Sequence, residues 1–174
     1  MENTIKKLAY ITLILIAAFT ASCQFPGTKI QPGDKIGNME FISDYEQCPA
    51  PNFSDICGFL ALWKGTCEIP ADMTKFWIST GWAEDTQDAL ELAWKDSEWS
   101  MTFDGYAVDL PAFGTFDMEL DEQKARTWNV CILNPTPGIH TVIYKRHLEN
   151  GSMPGKFADR LTFTVLSADA TQTP

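Results

Sequence analysis

The side chains able to do chemistry in this chain are few, and their spacing limits what they can do together. The two histidines, His140 and His147, are separated by an odd interval. On one continuous strand they face opposite sides, because successive side chains alternate, so they do not converge on one metal ion. The simpler role of His140 is to bond backbone within its own turn. Carboxylates come in close pairs: Glu84/Asp85, Asp117/Glu119 and Asp121/Glu122. A glycosidase needs two carboxyl groups about 5–9 Å apart across a cleft. With 23 acidic residues in the chain such pairs arise by chance, and a solvated face is the plainer reading. Asp117, Glu119 and Asp121 alternate on one strand face, where they could ligate calcium, but no D-x-D-x-D-G loop accompanies them. There is no G-x-S-x-G nucleophile elbow and no phosphate-binding glycine loop. The expectation is a protein that is not an enzyme and carries no cofactor and no metal.

Six tryptophans offer a different chemistry: Trp63, Trp77, Trp82, Trp94, Trp99 and Trp128. Trp77 and Trp128 fall within strand patterns and are expected in the core. Trp82 follows Gly81 at a strand end, and Trp99 sits near a hairpin. These two are the candidate ligand-binding residues, as stacking platforms for a surface polysaccharide, although packing is the default for an aromatic side chain.

The first 23 residues read as an address. Lys6 and Lys7 precede twelve residues without charge, 8–19. That run is too short for a membrane span of ~20 residues and suits a secretory h-region. Thr20-Ala21-Ser22 then lead to Cys23. A small-residue tripeptide ending at a cysteine resembles the lipobox of bacterial lipoproteins, with Thr20 where that family favours a bulky aliphatic. The resemblance implies cleavage before Cys23, diacylation of Cys23, and a chain tied to the bacterial membrane and facing away from the cytoplasm. The competing reading is ordinary signal-peptidase cleavage after Ala21 or Ser22, with Cys23 left as a thiol.

An exported chain sits where disulfides form. With Cys23 lipidated, Cys48, Cys57, Cys67 and Cys131 are left to form two bridges, with three pairings open. Their gaps contain no C-x-x-C knuckle, which argues against zinc. Three of the four lie within residues 48–67, so at least one bridge is local. The expected pairing is Cys48–Cys57, stapling Cys48-Pro49-Ala50-Pro51-Asn52, with Cys67–Cys131 closing a long loop.

Positioning these groups falls to one domain. A chain of 174 residues with 45% apolar composition can bury a core. Its net charge of −10 excludes a nucleic-acid surface, which needs a basic face. The lipobox resemblance implies the membrane as a partner, through Cys23, and a protein or polysaccharide ligand is the further partner expected. After the signal peptide at 1–22, residues 23–37 hold two Pro-Gly pairs and no apolar period, a flexible tether. Residues 38–166 form the folded domain, and 167–174 a disordered tail.

Within the domain, strands are expected at 38–43, 75–80, 97–103, 106–110, 127–133, 139–148 and 160–166, with Leu161, Phe163 and Val165 inward. Residues 58–64 read as a buried strand or a helix start. One helix is expected at 84–94, with Glu84 and Asp85 at its start. Asp104-Gly105 between apolar runs marks a type I′ hairpin, and Asn150-Gly151 another turn. Many short strands at even spacing predict a mostly β antiparallel sandwich with one short helix.

Pro137-Gly138-Ile139-His140-Thr141-Val142 followed by Tyr144 resembles the turn-then-strand signature of immunoglobulin-like bacterial extracellular domains. The hairpin Thr102-Phe103-Asp104-Gly105-Tyr106 is similar to the "leucine-aspartate-glycine" hairpin of the same domains. The resemblance covers residues 75–166. It implies an immunoglobulin-like sandwich in which the penultimate strand follows the Pro-Gly turn and the closing strand returns beside it. It carries no activity.

Overall fold

The computed structural model describes residues 29–43, 46–57 and 67–168. The strands and helices of these residues are, in chain order, β1 (Lys35–Ile36), β2 (Met39–Ile42), α1 (Phe53–Cys57), β3 (Glu68–Ile69), β4 (Lys75–Glu84), α2 (Gln87–Lys95), β5 (Glu98–Phe103), β6 (Tyr106–Val108), α3 (Leu110–Phe113), β7 (Thr115–Leu120), β8 (Gln123–Leu133), β9 (Gly138–Leu148) and β10 (Gly155–Val165). They form two sheets, as in a β-sandwich. In the first, β8 pairs with β4 along one side; its other side is shared by β7, opposite residues 123–128, and β2, opposite residues 131–133. β1 extends that sheet beyond β2. The second sheet runs β3-β10-β9-β5-β6. β3 lies parallel to β10, and the other pairs are antiparallel.

The two-residue period of the sequence places one row of each strand between the sheets. Phe41, Ile132 and Phe76 are register partners across β2, β8 and β4 and are fully buried. Phe103, Val142 and Leu161 form the matching row across β5, β9 and β10. Their rings meet in the gap: Phe41 lies 5.3 Å edge-on from Phe103, and Phe76 lies 5.6 Å from Phe163. Phe53 of α1 closes on Phe163 at 5.3 Å. Each such side chain contributes about 2–3 kcal/mol through burial. Leu161, Phe163 and Val165 point inward as the alternation requires.

Several elements differ from the reading of the sequence: among the described residues three helices stand where one was expected, since α1 and α3 join α2, Leu110 begins α3 where a strand was expected to end, and β3 is added. Residues 29–37, expected within the tether, are built into the fold. Ile30 is buried, donates its N–H to Ala107 O (2.7 Å) and accepts from Asp109 N (2.9 Å), while Lys35–Ile36 pairs with β2. Ile30 and Ile36, on either side of Pro32-Gly33, give no period to recognise, yet the fold reaches back before residue 38. The helix begins at Gln87 and not at Glu84. β4 continues to Glu84, and Thr86 caps the helix by accepting from Ala89 N at 3.2 Å. β10 starts at Gly155, five residues before the strand expected at 160–166. Finally, 115–120 and 123–128 form a hairpin, of which the sequence offered only the alternation of Asp117, Glu119 and Asp121, and Asp121 lies in its turn and not on the strand. The expected element at 58–64 lies outside the described residues, as do the expected signal peptide and most of the expected tail.

Two hairpin turns make the physical point. Asp104 and Gly105 have φ of 49° and 85°, and Asp121 and Glu122 have φ of 47° and 72°. Both pairs meet the positive-φ requirement of a type I′ turn, but only the first supplies glycine. No atom beyond the neighbouring residues lies near a Cβ added at Gly105, so a substitution there meets backbone strain alone. Gly105→Val is expected to destabilise by about 1–2 kcal/mol and Gly105→Asn by much less. Glu122→Gly is expected to stabilise by about 1 kcal/mol for the same reason. Urea denaturation of the three variants measures this; equal stability of the Val and Asn variants would refute the turn assignment.

Candidate functional site

The cysteine framework is the first constellation. All four cysteines are bridged, but as Cys48–Cys131 and Cys57–Cys67, which corrects the expected Cys48–Cys57 and Cys67–Cys131. The reason lies in the β8 alternation. Val130 and Ile132 point into the core, so Cys131 points to the outer face of its sheet. There Trp77 and Ile42 form a second buried cluster with it, covered by residues 48–50. This segment is held by Trp77 N, which donates to Pro51 O (3.0 Å), and by Trp77 Nε1, which donates to Cys48 O (2.9 Å). Cys48 is thereby delivered to Cys131. Cys57, at the end of α1, meets Cys67 just before β3. Cys23 lies outside the described residues.

Trp82 and Trp99, the candidate stacking residues, lie on the inner faces of β4 and β5 and are half-buried. Trp82 Nε1 donates to Glu84 Oε1 (2.8 Å), and its ring packs 5.7 Å from Phe157 with the Arg146 guanidinium 5.6 Å away. Trp99 Nε1 donates to Ser97 Oγ (2.7 Å), and its ring stacks on Trp94 at 4.9 Å, which in turn contacts Trp128. Both indole N–H groups are therefore satisfied from within the domain.

The carboxylate pairs separate into distinct roles. Glu84 is buried and accepts from Trp82 and Ser152, while Asp85 accepts from Gln123 on the surface. Asp117 is gripped by Arg126 through two bonds of 2.6 and 2.7 Å, and Arg126 also donates to Glu91. These bonds hold Asp117 and Glu91 below the usual carboxylate range and push the guanidinium up. Lys124 does the same to Glu119. Asp121 sits in the turn. Among the described residues no three His, Cys, Asp or Glu side chains gather around a metal position.

The histidines do face opposite sides. His147 lies beside Glu98 and Glu149. His140 is buried, stacked on Phe103 at 5.6 Å, with Nδ1 2.7 Å from Asp104 Oδ2 and Nε2 2.8 Å from Thr136 O. Thr141 N donates to the other Asp104 oxygen at 2.8 Å. The Asp-Gly hairpin and the Pro-Gly turn are thus joined through one carboxylate.

One recess went unnoticed in the sequence. On the outer face of the first sheet a groove of about 240 Å³ crosses β4, β8 and β7. Ser79 and its register partner Asn129, with Thr127, form its polar floor, and Trp77 closes one end. Asn52 and Asp55 stand on one side and Phe116 and Met118 on the other. Asn52 Nδ2 donates to Ser79 Oγ at 2.6 Å. Phe116, Met118 and Leu120 share the outer side of β7 and are 49%, 40% and 51% exposed. The available signal was the alternation Phe116-x-Met118-x-Leu120, the companion of the acidic row Asp117/Glu119. The chain matches no protein-family model and no curated protein.

Proposed function

We propose that this chain is a bacterial cell-envelope lipoprotein: an exported, non-enzymatic binding module on an immunoglobulin-like sandwich, anchored through diacylated Cys23. The observation that carries the reading is the disulfide pair. Four of the five cysteines are bridged within the domain, as suits an oxidising compartment and not the cytoplasm. The fifth is the one that follows the export-type segment. The immunoglobulin-like assignment is supported by the bond between its two signature motifs, Asp104 of the hairpin and His140-Thr141 after the Pro-Gly turn. Binding is favoured over catalysis because the conspicuous ionisable groups are engaged structurally: Asp117 and Glu119 by cations, His140 by Asp104. The partners are the membrane, through the lipid, and a protein or polysaccharide ligand.

Cys23→Ser tests the anchor. Two acyl chains hold a protein to a bilayer firmly, whereas none leaves a domain of this kind free. Fractionation of expressing bacteria is expected to find the parent with membranes and the serine variant in the soluble or secreted fraction. Equal membrane retention of the variant would overturn lipidation.

A further inference from the structure

We infer that the groove across β4, β8 and β7 receives a single neutral sugar ring of a glycan; this deepens the reading of the chain as an envelope binding module and rests on that reading for where a glycan would be met. The groove, at about 240 Å³, lies below the range of about 300–1,000 Å³ typical of sites for drug-sized ligands. Its lining suits one small ring.

The chemistry of the lining narrows the class. Asn129 carries an amide that both donates and accepts, and Ser79 and Thr127 carry hydroxyls that do the same; the Asn52 oxygen already accepts from Ser54 N and Ser54 Oγ (both 3.2 Å), which leaves its second amide hydrogen to donate. Asn52 and Ser79 hold each other in place, and Asp55 is oriented by accepting from Asn52 N at 3.1 Å. The Asn129 amide is engaged by no other group among the described residues. Among the described residues no cation lines the groove, so a phosphate or carboxylate ligand would find no counter-charge from them. An apolar ligand fits no better, because it would strip water from the polar floor without replacing its hydrogen bonds. A sugar ring answers both halves of the surface. Its hydroxyls can bond the amides, hydroxyls and Asp55, while a C–H face can lie against the Met118 and Phe116 wall. Trp82 and Trp99 lie on inner faces, away from this groove.

The test uses the full-length chain in detergent micelles with isotope-labelled asparagine side chains. It is titrated with methyl glucoside, methyl mannoside, methyl galactoside and N-acetylglucosamine, with sorbitol as an acyclic control. At least one ring sugar is expected to shift the Asn129 and Asn52 amide signals saturably, with a dissociation constant on the order of 1 mM, while sorbitol does not. Asn129→Ala is expected to weaken that binding about tenfold and Met118→Ala about threefold, with unchanged near-ultraviolet circular dichroism. No saturable shift at Asn129 with any of the four sugars would overturn the site. So would unaltered affinity in Asn129→Ala, or shifts confined to the Trp82 and Trp99 indoles. None of these outcomes touches the Cys23 anchor, which fractionation tests separately.

Discussion

Replacing Cys48 and Cys131 together by alanine is expected to lower the free energy of unfolding by about 4–5 kcal/mol. The bridge spans 83 residues of sequence, and in the chain-entropy account a cross-link of that span restricts the unfolded ensemble by roughly that amount. The Cys57–Cys67 bridge spans only 10, and the same relation gives about 2.5–3 kcal/mol. The larger loss has a local component as well. Cys48 and Cys131 are both fully buried against Trp77 and Ile42, so losing the link frees residues 48–50 to lift from the outer face. Denaturant unfolding of the two double variants is the measurement. A Cys57/Cys67 variant as unstable as the Cys48/Cys131 variant would contradict the assigned pairing, since the expected alternative distributes the loop lengths differently.

That pairing shows where sequence reasoning reached its limit. The count of cysteines and the crowding of three within residues 48–67 required one local bridge and one long one, and both are present. Which cysteine is local depends on the face of β8 that Cys131 occupies and on what covers it, and that is a tertiary fact. The strands were legible wherever apolar residues alternated beneath a covering sheet, as at Leu161, Phe163 and Val165. They were illegible where alternation lacked burial: every residue of β7 is exposed, and its turn uses Asp121-Glu122 without glycine. Glu84 and Asp85 resemble a first helical turn, but they end β4 and lead to the cap, Thr86.

The candidate sites divide along the same line. Tryptophans could be counted, but not placed inside or outside without knowing the strand faces. The groove is built from Asn52, Ser79, Asn129 and Met118, ordinary residues contributed by four separate segments, and no spacing along the chain unites them. The link between Asp104 and His140 was half visible. Each motif could be recognised alone, while the bond between them needs β5 and β9 to be neighbours.

Glu84 carries the second large prediction. Its side chain is almost fully buried at 4% exposure, and a single oxygen, Oε1, accepts from Trp82 Nε1 (2.8 Å), Ser152 N (2.9 Å) and Ser152 Oγ (3.1 Å). These bonds join the end of β4 to the turn between β9 and β10, and thus one sheet to the other. The turn has little room to adjust. Gly151 has φ of 103°, and a Cβ there would fall 2.6 Å from Glu84 Oε1 and 2.8 Å from the Ala93 side chain of α2. Glu84→Ala would leave the Trp82 and Ser152 donors without their acceptor in a confined space, at about 1–3 kcal/mol for each buried donor that water does not reach. A loss of about 3 kcal/mol is therefore expected. Glu84→Gln keeps an oxygen of the same reach, so it should cost about 1 kcal/mol or less. The contrast between the two variants separates the hydrogen bonds from the volume of the side chain. If glutamine is as damaging as alanine in urea denaturation, the negative charge and not the geometry of Oε1 holds the turn. If neither variant moves the midpoint, the two sheets are not joined through this carboxylate, and the rigidity at that end of the sandwich belongs to the Trp82–Phe157–Arg146 stack alone.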